Sequence, residues 1–276
     1  MCFRQDECPA PRPAQYRDMI APADVQPLLG NRHLAIQGAR PSAALTGLIE
    51  LLWSLPGYDS GQSVFDILPD SHFDLVFLLG EASCSALLSG PYTRKVSLPL
   101  EDSWELVCVR FRPGMFPRLA DVKPSELVNG GVFLKRILGM DSDQLGERLK
   151  ALSGIDSRKA FLEGLFHTAG LAEQMATARS RPCLAMIESC AGRITVSELA
   201  RQNSMSVRTL ERVFMEEVGV AAKMVIRYFR YRAALAGLRC GRVGTLADLA
   251  LRCGYSDQSH FIKEFSFFAG ASPGRL

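Results

Sequence analysis

No two of the eight cysteines (Cys2, Cys8, Cys84, Cys108, Cys183, Cys190, Cys240 and Cys253) stand in a Cys-x-x-Cys pair. Structural zinc sites draw on such pairs, and the four histidines form no cluster that would complete a ligand set, so no metal is expected. There is no apolar run of the roughly eighteen residues that a membrane helix needs, and the first thirty residues are polar and proline-rich, without a signal-peptide core. The expectation is a soluble, cytoplasmic protein that does not engage a membrane. Also missing are a glycine-rich phosphate loop, a Gly-x-Ser-x-Gly elbow and a His/Asp/Ser constellation. Nothing in the chain points to an enzyme or calls for a cofactor.

What the chain does hold is a repeat. With 276 residues, 47% of them apolar and 22% charged, it is long enough for two domains. Thr195-Val-Ser-Glu198 and Thr245-Leu-Ala-Asp248 both have the form of a capping box. Leu199-Ala200 and Leu249-Ala250 follow, each supplying a narrow apolar seam with a small residue for close packing. Ser206 and Ser256 then read as N-caps, each ahead of an i, i+4 apolar pair, Leu210 with Phe214 and Phe261 with Phe265. Each copy is therefore read as helix, turn, helix, the unit whose second helix can enter the major groove of DNA. A plain helical bundle with two capped hairpins would share these features, but charge favours a nucleic-acid partner. Residues 181–276 carry fourteen Arg and Lys against eight Asp and Glu, whereas residues 1–180 carry eighteen against twenty-one.

The motifs Val196-Ser-Glu-Leu-Ala-Arg201, Met205-Ser-Val-Arg-Thr-Leu-Glu-Arg-Val-Phe214 and Leu249-Ala-Leu-Arg-Cys-Gly-Tyr-Ser-Asp-Gln-Ser-His-Phe261, continuing to Gly270-Ala-Ser-Pro273, resemble the AraC/XylS-type bacterial transcription regulators. The resemblance covers about the last ninety-five residues. It implies two helix-turn-helix units on a long central helix, for which Ala222 to Leu238 is suited: free of proline, roughly 25 Å long at 1.5 Å per residue, and expected to expose Arg227, Arg230 and Arg232. It places Arg208, Glu211 and Arg212 on the first reading helix and Gln258, Ser259, His260 and Lys263 on the second, facing double-stranded DNA. Read without the resemblance, Arg208 and Glu211 would be a solvated face and Arg212 the partner of Glu216 in an ion pair. Three departures stand out: Asn203-Ser204 where a turn glycine is usual, Ala221-Ala222 where Ser-Pro usually opens the central helix, and a chain that stops at Leu276 with little of the closing helix.

Upstream, the periodicity of Leu45, Leu48, Ile49, Leu52 and Trp53 predicts a helix over 42–53, ending before Pro56-Gly57. Strands are predicted over 65–68, 73–79, 86–88, 94–98 and 105–111, and helical spacing from about 132 to 178. Leu68-Pro-Asp70, Phe73-Asp-Leu-Val-Phe77 and Val109-Arg-Phe-Arg-Pro-Gly114 resemble the amino-terminal domain of one branch of the same regulators. That resemblance implies an α+β chain: a mixed, β-barrel-like (cupin-like) domain with helices, followed by an all-α double helix-turn-helix domain. The expected division is a sensing and dimerising domain over 1–165 (1–14 a flexible tail), a linker over 166–181, and the DNA-binding domain over 182–276. A small-molecule effector would bind upstream, where Arg110, Arg112 and His72 are the candidate contacts, and RNA polymerase and a second copy of the chain are further expected partners. Taken as a strand face, Asp70, His72 and Asp74 read as solvated, and Arg110 and Arg112 as members of surface ion pairs. The competing reading is a constitutive DNA-binding regulator whose upstream domain only dimerises.

Overall fold

A computed structural model describes residues 36–55, 63–100, 105–117, 119, 122–171, 173, 178–240 and 244–275. Cys2, Cys8, the expected tail and the Pro56-Gly57 stop lie outside these residues. Short runs of Leu, Val and Phe bounded by Pro, Gly, Asp and Ser build the first half into strands. These are β1 (Gln37–Ala39), β2 (Ile49–Leu55), β3 (Ser63–Ile67), β4 (Asp74–Leu79), β5 (Cys84–Ser89), β6 (Val96–Leu100), β7 (Glu105–Phe111) and β8 (Gly131–Leu134), with the small pair β9 (Arg136–Ile137) and β10 (Met140–Asp141). Six of them form one antiparallel sheet in the order β1-β2-β7-β4-β5-β8, and β3 pairs with β6 in a second layer.

Strand alternation sends side chains to two buried faces of the large sheet. On one, Leu52, Leu75, Phe77, Ala86, Leu88, Val107, Val109 and Phe111 join the main core beneath α1 (Ser142–Ala151) and α2 (Gly154–Thr168). On the other, Leu51, Trp53, Leu55, Leu106 and Cys108 pack with Ile67 of the second layer. Asp141 caps α1 by accepting from the Asp143 amide. Arg158 of α2 donates to the Leu149 carbonyl at the end of α1 (3.1 Å) and to Glu105 of β7 (3.0 Å), fastening both helices to the sheet.

The helix predicted over 42–53 is a correction. Residues 42–49 make only one helical turn, with the Leu45, Thr46, Leu48 and Ile49 amides bonded three or four residues back, before β2 begins. Because both faces of β2 are buried, Leu51-Leu52-Trp53 is a continuous apolar run, and such a run satisfies a helical period by accident. Residues 132–134, predicted helical, belong to the edge strand β8 that pairs with β5, and 136–141, predicted the same way, hold the β9–β10 pair.

The second half is helical: α3 (Arg181–Ser189), α4 (Val196–Gln202), α5 (Val207–Glu217), α6 (Ala222–Arg239), α7 (Leu246–Arg252) and α8 (Gln258–Ala269), closed by a single 3-10 turn at Pro273–Arg275. The sheet-rich half followed by a helical half is the α+β order expected. The main core is continuous across both, running from Leu45 to Phe268. At their junction Gly114 has φ +75°, and a Cβ there would lie 2.6 Å from Leu184 Cδ2; Gly219 has φ +80°, with the Pro124 carbonyl oxygen 2.8 Å from the corresponding position.

Gly146 shows how tightly α1 seats on β5, since a Cβ there would fall 2.2 Å from Cys84 Cβ. Alanine is the better helix former by up to about 1 kcal/mol, yet overlap of this kind typically costs about 1–3 kcal/mol. Gly146→Ala should therefore lower stability by about 1 kcal/mol or more in urea unfolding. An unchanged or raised midpoint would contradict this seating.

Candidate nucleic-acid interface

Both helix-turn-helix units are built from the same local bonds. Thr195 accepts from the Glu198 amide and Thr245 from the Asp248 amide, each at 3.1 Å, and Leu199, Ala200, Leu249 and Ala250 are buried. The turns match as well: the Met205 amide reaches the Ala200 carbonyl and the Tyr255 amide the Ala250 carbonyl, both at 2.9 Å. Such a closing bond needs a left-handed residue. Gly254 supplies it at φ +78°, and Ser204 supplies it at φ +54° without glycine's freedom, as its place in the sequence required.

Ser206 caps α5 by accepting from the Thr209 amide at 3.0 Å. In the second unit the expected cap, Ser256, is corrected to Asp257, which accepts from the His260 amide at 2.8 Å. The second turn is one residue longer, and Ser256 instead bonds Asp257 and His260 through its hydroxyl. Backbone donation from His260 and the Ser256 hydroxyl hold the Asp257 carboxyl below its ordinary range.

Helix α6 joins the units. Ala221 stands at its N-cap with no side-chain bond, as the missing Ser-Pro pair foretold. Its three arginines, expected to be exposed, are structural instead. Arg227 makes a two-pronged bond to Glu264 of α8 (2.6 and 2.9 Å) with its guanidinium 4.8 Å from the Phe267 ring centre. Arg230 donates to the Gly192 carbonyl at 3.0 Å, and Arg232 pairs with Glu50 of β2 at 2.6 Å. A helix with no free face finds partners for its charges in the elements around it.

The residues assigned to DNA are placed as follows. Arg208 and Arg212 of α5 are exposed, Glu211 is half-buried, and Arg212 also meets Glu216 one turn on at 3.2 Å. At the start of α8, Gln258, Ser259 and Lys263 are exposed. His260 is half-buried, edge-on to Tyr255 with Nδ1 3.0 Å from the Ser256 hydroxyl.

The three residues assigned to an effector lie elsewhere, and neither the solvated face nor the surface pairs are found. His72 and Asp70 are 2% and 1% exposed, and Asp74 and Arg110 are also buried. Arg110 grips Asp74 across the β4–β7 register with two bonds of 2.9 and 2.6 Å, and its guanidinium lies 3.4 Å from Asp70. Arg112 pairs with Glu188 of α3. His72 meets Glu50 through Nε2 and Asp70 through Nδ1 (3.1 Å), with the Tyr228 hydroxyl of α6 3.4 Å from Nδ1. Burial alone would lower the His72 pKa, but Glu50, opposed by Arg110 and seconded by Asp70, raises it above 6.5. Burial would raise Glu50, yet Arg232 and then His72 hold it well below the carboxylate range. Glu50, Glu188 and Tyr228 were not among the residues singled out from the sequence, and Arg232 was expected to be exposed. The one signal was a polar side chain amid apolar neighbours, as at Glu50 between Ile49 and Leu51.

A sheet-rich half is thus joined to a helical half that carries two helix-turn-helix units. Residues 199–276 match the model of a helix-turn-helix domain, and residues 37–133 that of a domain of unknown function. The carboxyl-terminal domain is thus a helix-turn-helix domain of the AraC type. It is 27% identical over 89 residues to the HTH-type transcriptional activator RhaR of Yersinia pseudotuberculosis, and equally to that of Yersinia pestis. The match covers 32% of this chain and 30% of the relative, so the chain spans under a third of the length of the curated relatives it matches. Among solved structures it is similar to ToxT from Vibrio cholerae, with a TM-score of 0.43 at 11% identity over 87% of this chain and 97% of that one. It is also similar to unsaturated fatty acid bound wild-type ToxT from the same organism, with a TM-score of 0.43 at 14% identity over 89% and 96% of the two chains. Among the described residues no helix is long and apolar enough to cross a membrane.

If Asp257 is the cap of α8, Asp257→Ala lowers the thermal midpoint more than Ser256→Ala does. The difference fades as the pH falls through the carboxylate range, because a carboxyl with a depressed pKa stabilises only while ionised. The reverse ranking would return the cap to Ser256.

Proposed function

We propose that the protein is a sequence-specific, DNA-binding transcription regulator in which residues 182–276 read the duplex, 166–181 link, and 1–165 sense an effector and dimerise. The observation that carries this reading is the pair of equivalent capped units on one buried helix, with Arg208, Arg212, Gln258, Ser259 and Lys263 all exposed near the reading helices. Arg208 and Arg212 have the geometry for guanine, Gln258 for adenine and Glu211 for a cytosine amino group, while Ser259, His260 and Lys263 serve other base edges or phosphates. An α6 of eighteen residues is about 27 Å long at 1.5 Å per residue, a spacer suited to successive major-groove segments about 34 Å apart.

An effector in the upstream domain is favoured over dimerisation alone by two buried donors. Trp53 Nε1 and Arg110 Nη1 have no acceptor among the described residues, and strand alternation puts both on the inner face of the large sheet. Donors of this kind are costly to bury unsatisfied, and a ligand carbonyl or hydroxyl oxygen is the natural complement. Effector binding would shift the balance between domain arrangements that differ in operator or RNA polymerase engagement, provided it prefers one of them.

Binding-site selection from random duplexes with the purified protein tests the reading, and selection repeated in cell extract tests effector dependence. On the selected duplex, Arg208→Ala and Arg212→Ala should each weaken binding by about 1–3 kcal/mol, roughly 5- to 150-fold, with the thermal midpoint nearly unchanged. Undiminished binding, or unfolding of either variant, would contradict these roles.

A further inference from the structure

The seam between the large sheet and α6 holds a closed group of buried charges. Glu50 comes from β2, Asp70 and His72 from the segment ahead of β4, Asp74 from β4, Arg110 from β7, and Tyr228 and Arg232 from α6. Beside it, Arg112 and Glu188 form a second pair between β7's end and α3. Glu50 owes its position to a β-bulge. Ile49 pairs with Phe111 and Leu51 with Arg110, so Glu50 is the extra residue that the ladder leaves out. A bulge re-aims the side chain it carries, and here one carboxylate bridges His72 on one oxygen and Arg232 on the other.

His72 is the only member whose charge is set by environment near neutral pH. Both of its ring nitrogens face carboxylates, Nε2 toward Glu50 and Nδ1 toward Asp70. A neutral imidazole carries a single N–H, so either tautomer would turn a lone pair on one of those carboxylates. The protonated ring satisfies both. It also balances the group, giving three cations (His72, Arg110, Arg232) against three carboxylates (Glu50, Asp70, Asp74). Loss of its proton leaves one negative charge uncompensated among side chains as buried as Asp70 and Glu50, which is severe. The cheapest remedy is hydration, and movement of Tyr228 and the half-buried Arg232 away from the seam would admit it.

We propose that Glu50, Asp70, His72, Tyr228 and Arg232 form a proton-operated latch between the amino-terminal sheet and the central helix of the DNA-binding half: protonated His72 clamps α6 to the sheet, and deprotonation frees it. The neighbours leave His72 as the group that switches. Glu50 and Asp70 are held ionised, since their cationic partners outweigh the effect of burial, and burial pushes Tyr228 far above its ordinary value. Arg110 and Arg232 stay charged. Because folding raises the His72 pKa, the clamp is complete below the ordinary histidine value and is lost as the pH climbs through the raised one.

The latch is a property of the geometry and its test needs no DNA; only its consequence for operator reading rests on the function proposed above. The experiment is small-angle X-ray scattering of the full chain from about pH 6 to about pH 10, with far-UV circular dichroism at each point. The radius of gyration should rise at the alkaline end by roughly a tenth or more above the ~19 Å of one compact body of this length, with helix content unchanged. Glu50→Gln, which removes one of the carboxylates favouring the imidazolium, should move the step to lower pH by about one unit or more. His72→Gln should abolish it. Arg232→Gln should leave the chain expanded at all pH values, and Arg232→Lys should restore the pH step. A wild-type chain that stays equally compact throughout, or a His72→Gln chain that keeps the same step, would overturn the latch. If His72→Gln loses its helix content, the wild-type profile and the direction of the Glu50→Gln shift decide.

Discussion

Helix α6 is packed on every side, and the arrangement of the rest of the chain follows from that. Val225, Ile226, Tyr228, Phe229, Tyr231, Ala233, Ala234 and Ala236 are all buried, which no helix lying on the surface of a single core could achieve. Tyr231 stacks on Phe268 and meets Phe265, both of α8, Arg230 ties the loop after α3, and Tyr228 and Arg232 close on the sheet. Each helix-turn-helix unit is too small to bury its own apolar seam alone. Sharing α6 gives both a common wall and fixes one relative to the other. Through the same helix the sheet and both units share one packed core.

The polar seam on which α6 meets the sheet is a choice with consequences. Buried ion pairs recover little net free energy after desolvation, and apolar residues of similar volume would often hold such a junction more firmly. What the charges add is register and the capacity to be undone. Glu50 must sit on its bulge for His72 Nε2 and Arg232 to find their carboxylate. Around the seam the contacts are apolar and close, Gly114 against Leu184 and Gly219 against Pro124, positions where a side chain would not fit. A tight apolar frame around an ionisable centre gives a junction that is rigid when its charges balance and strained when they do not.

The helical half was legible because its determinants are local. Thr195 with Glu198, Thr245 with Asp248, and the small residues Ala200 and Ala250 act within a few residues of themselves, so a repeat in sequence became a repeat in structure. The central helix ends within one residue of its predicted limit. Where a single inserted residue lengthened the second turn, the cap moved from Ser256 to Asp257, a shift that spacing alone could not reveal. In the first half, strands bounded by Pro and Gly were read correctly and 42–53 was not, since a strand buried on both faces has no period of its own. The charged group was the least legible part. Asp70, His72 and Asp74 alternate like a solvated strand face, and the α6 members of the group, Tyr228 beside His72 and Arg232 on Glu50, stand more than 150 residues away.

The proposed function requires one chain to present α5 and α8 to neighbouring segments of one duplex. Hydroxyl-radical footprinting of the full chain on its selected site, at one chain per duplex, measures this most directly. Two protected patches on one face of the DNA, about 10 base pairs apart from centre to centre, with the second lost in a Gln258→Ala/Lys263→Ala variant, is the predicted result. A single patch that this variant leaves untouched would contradict it.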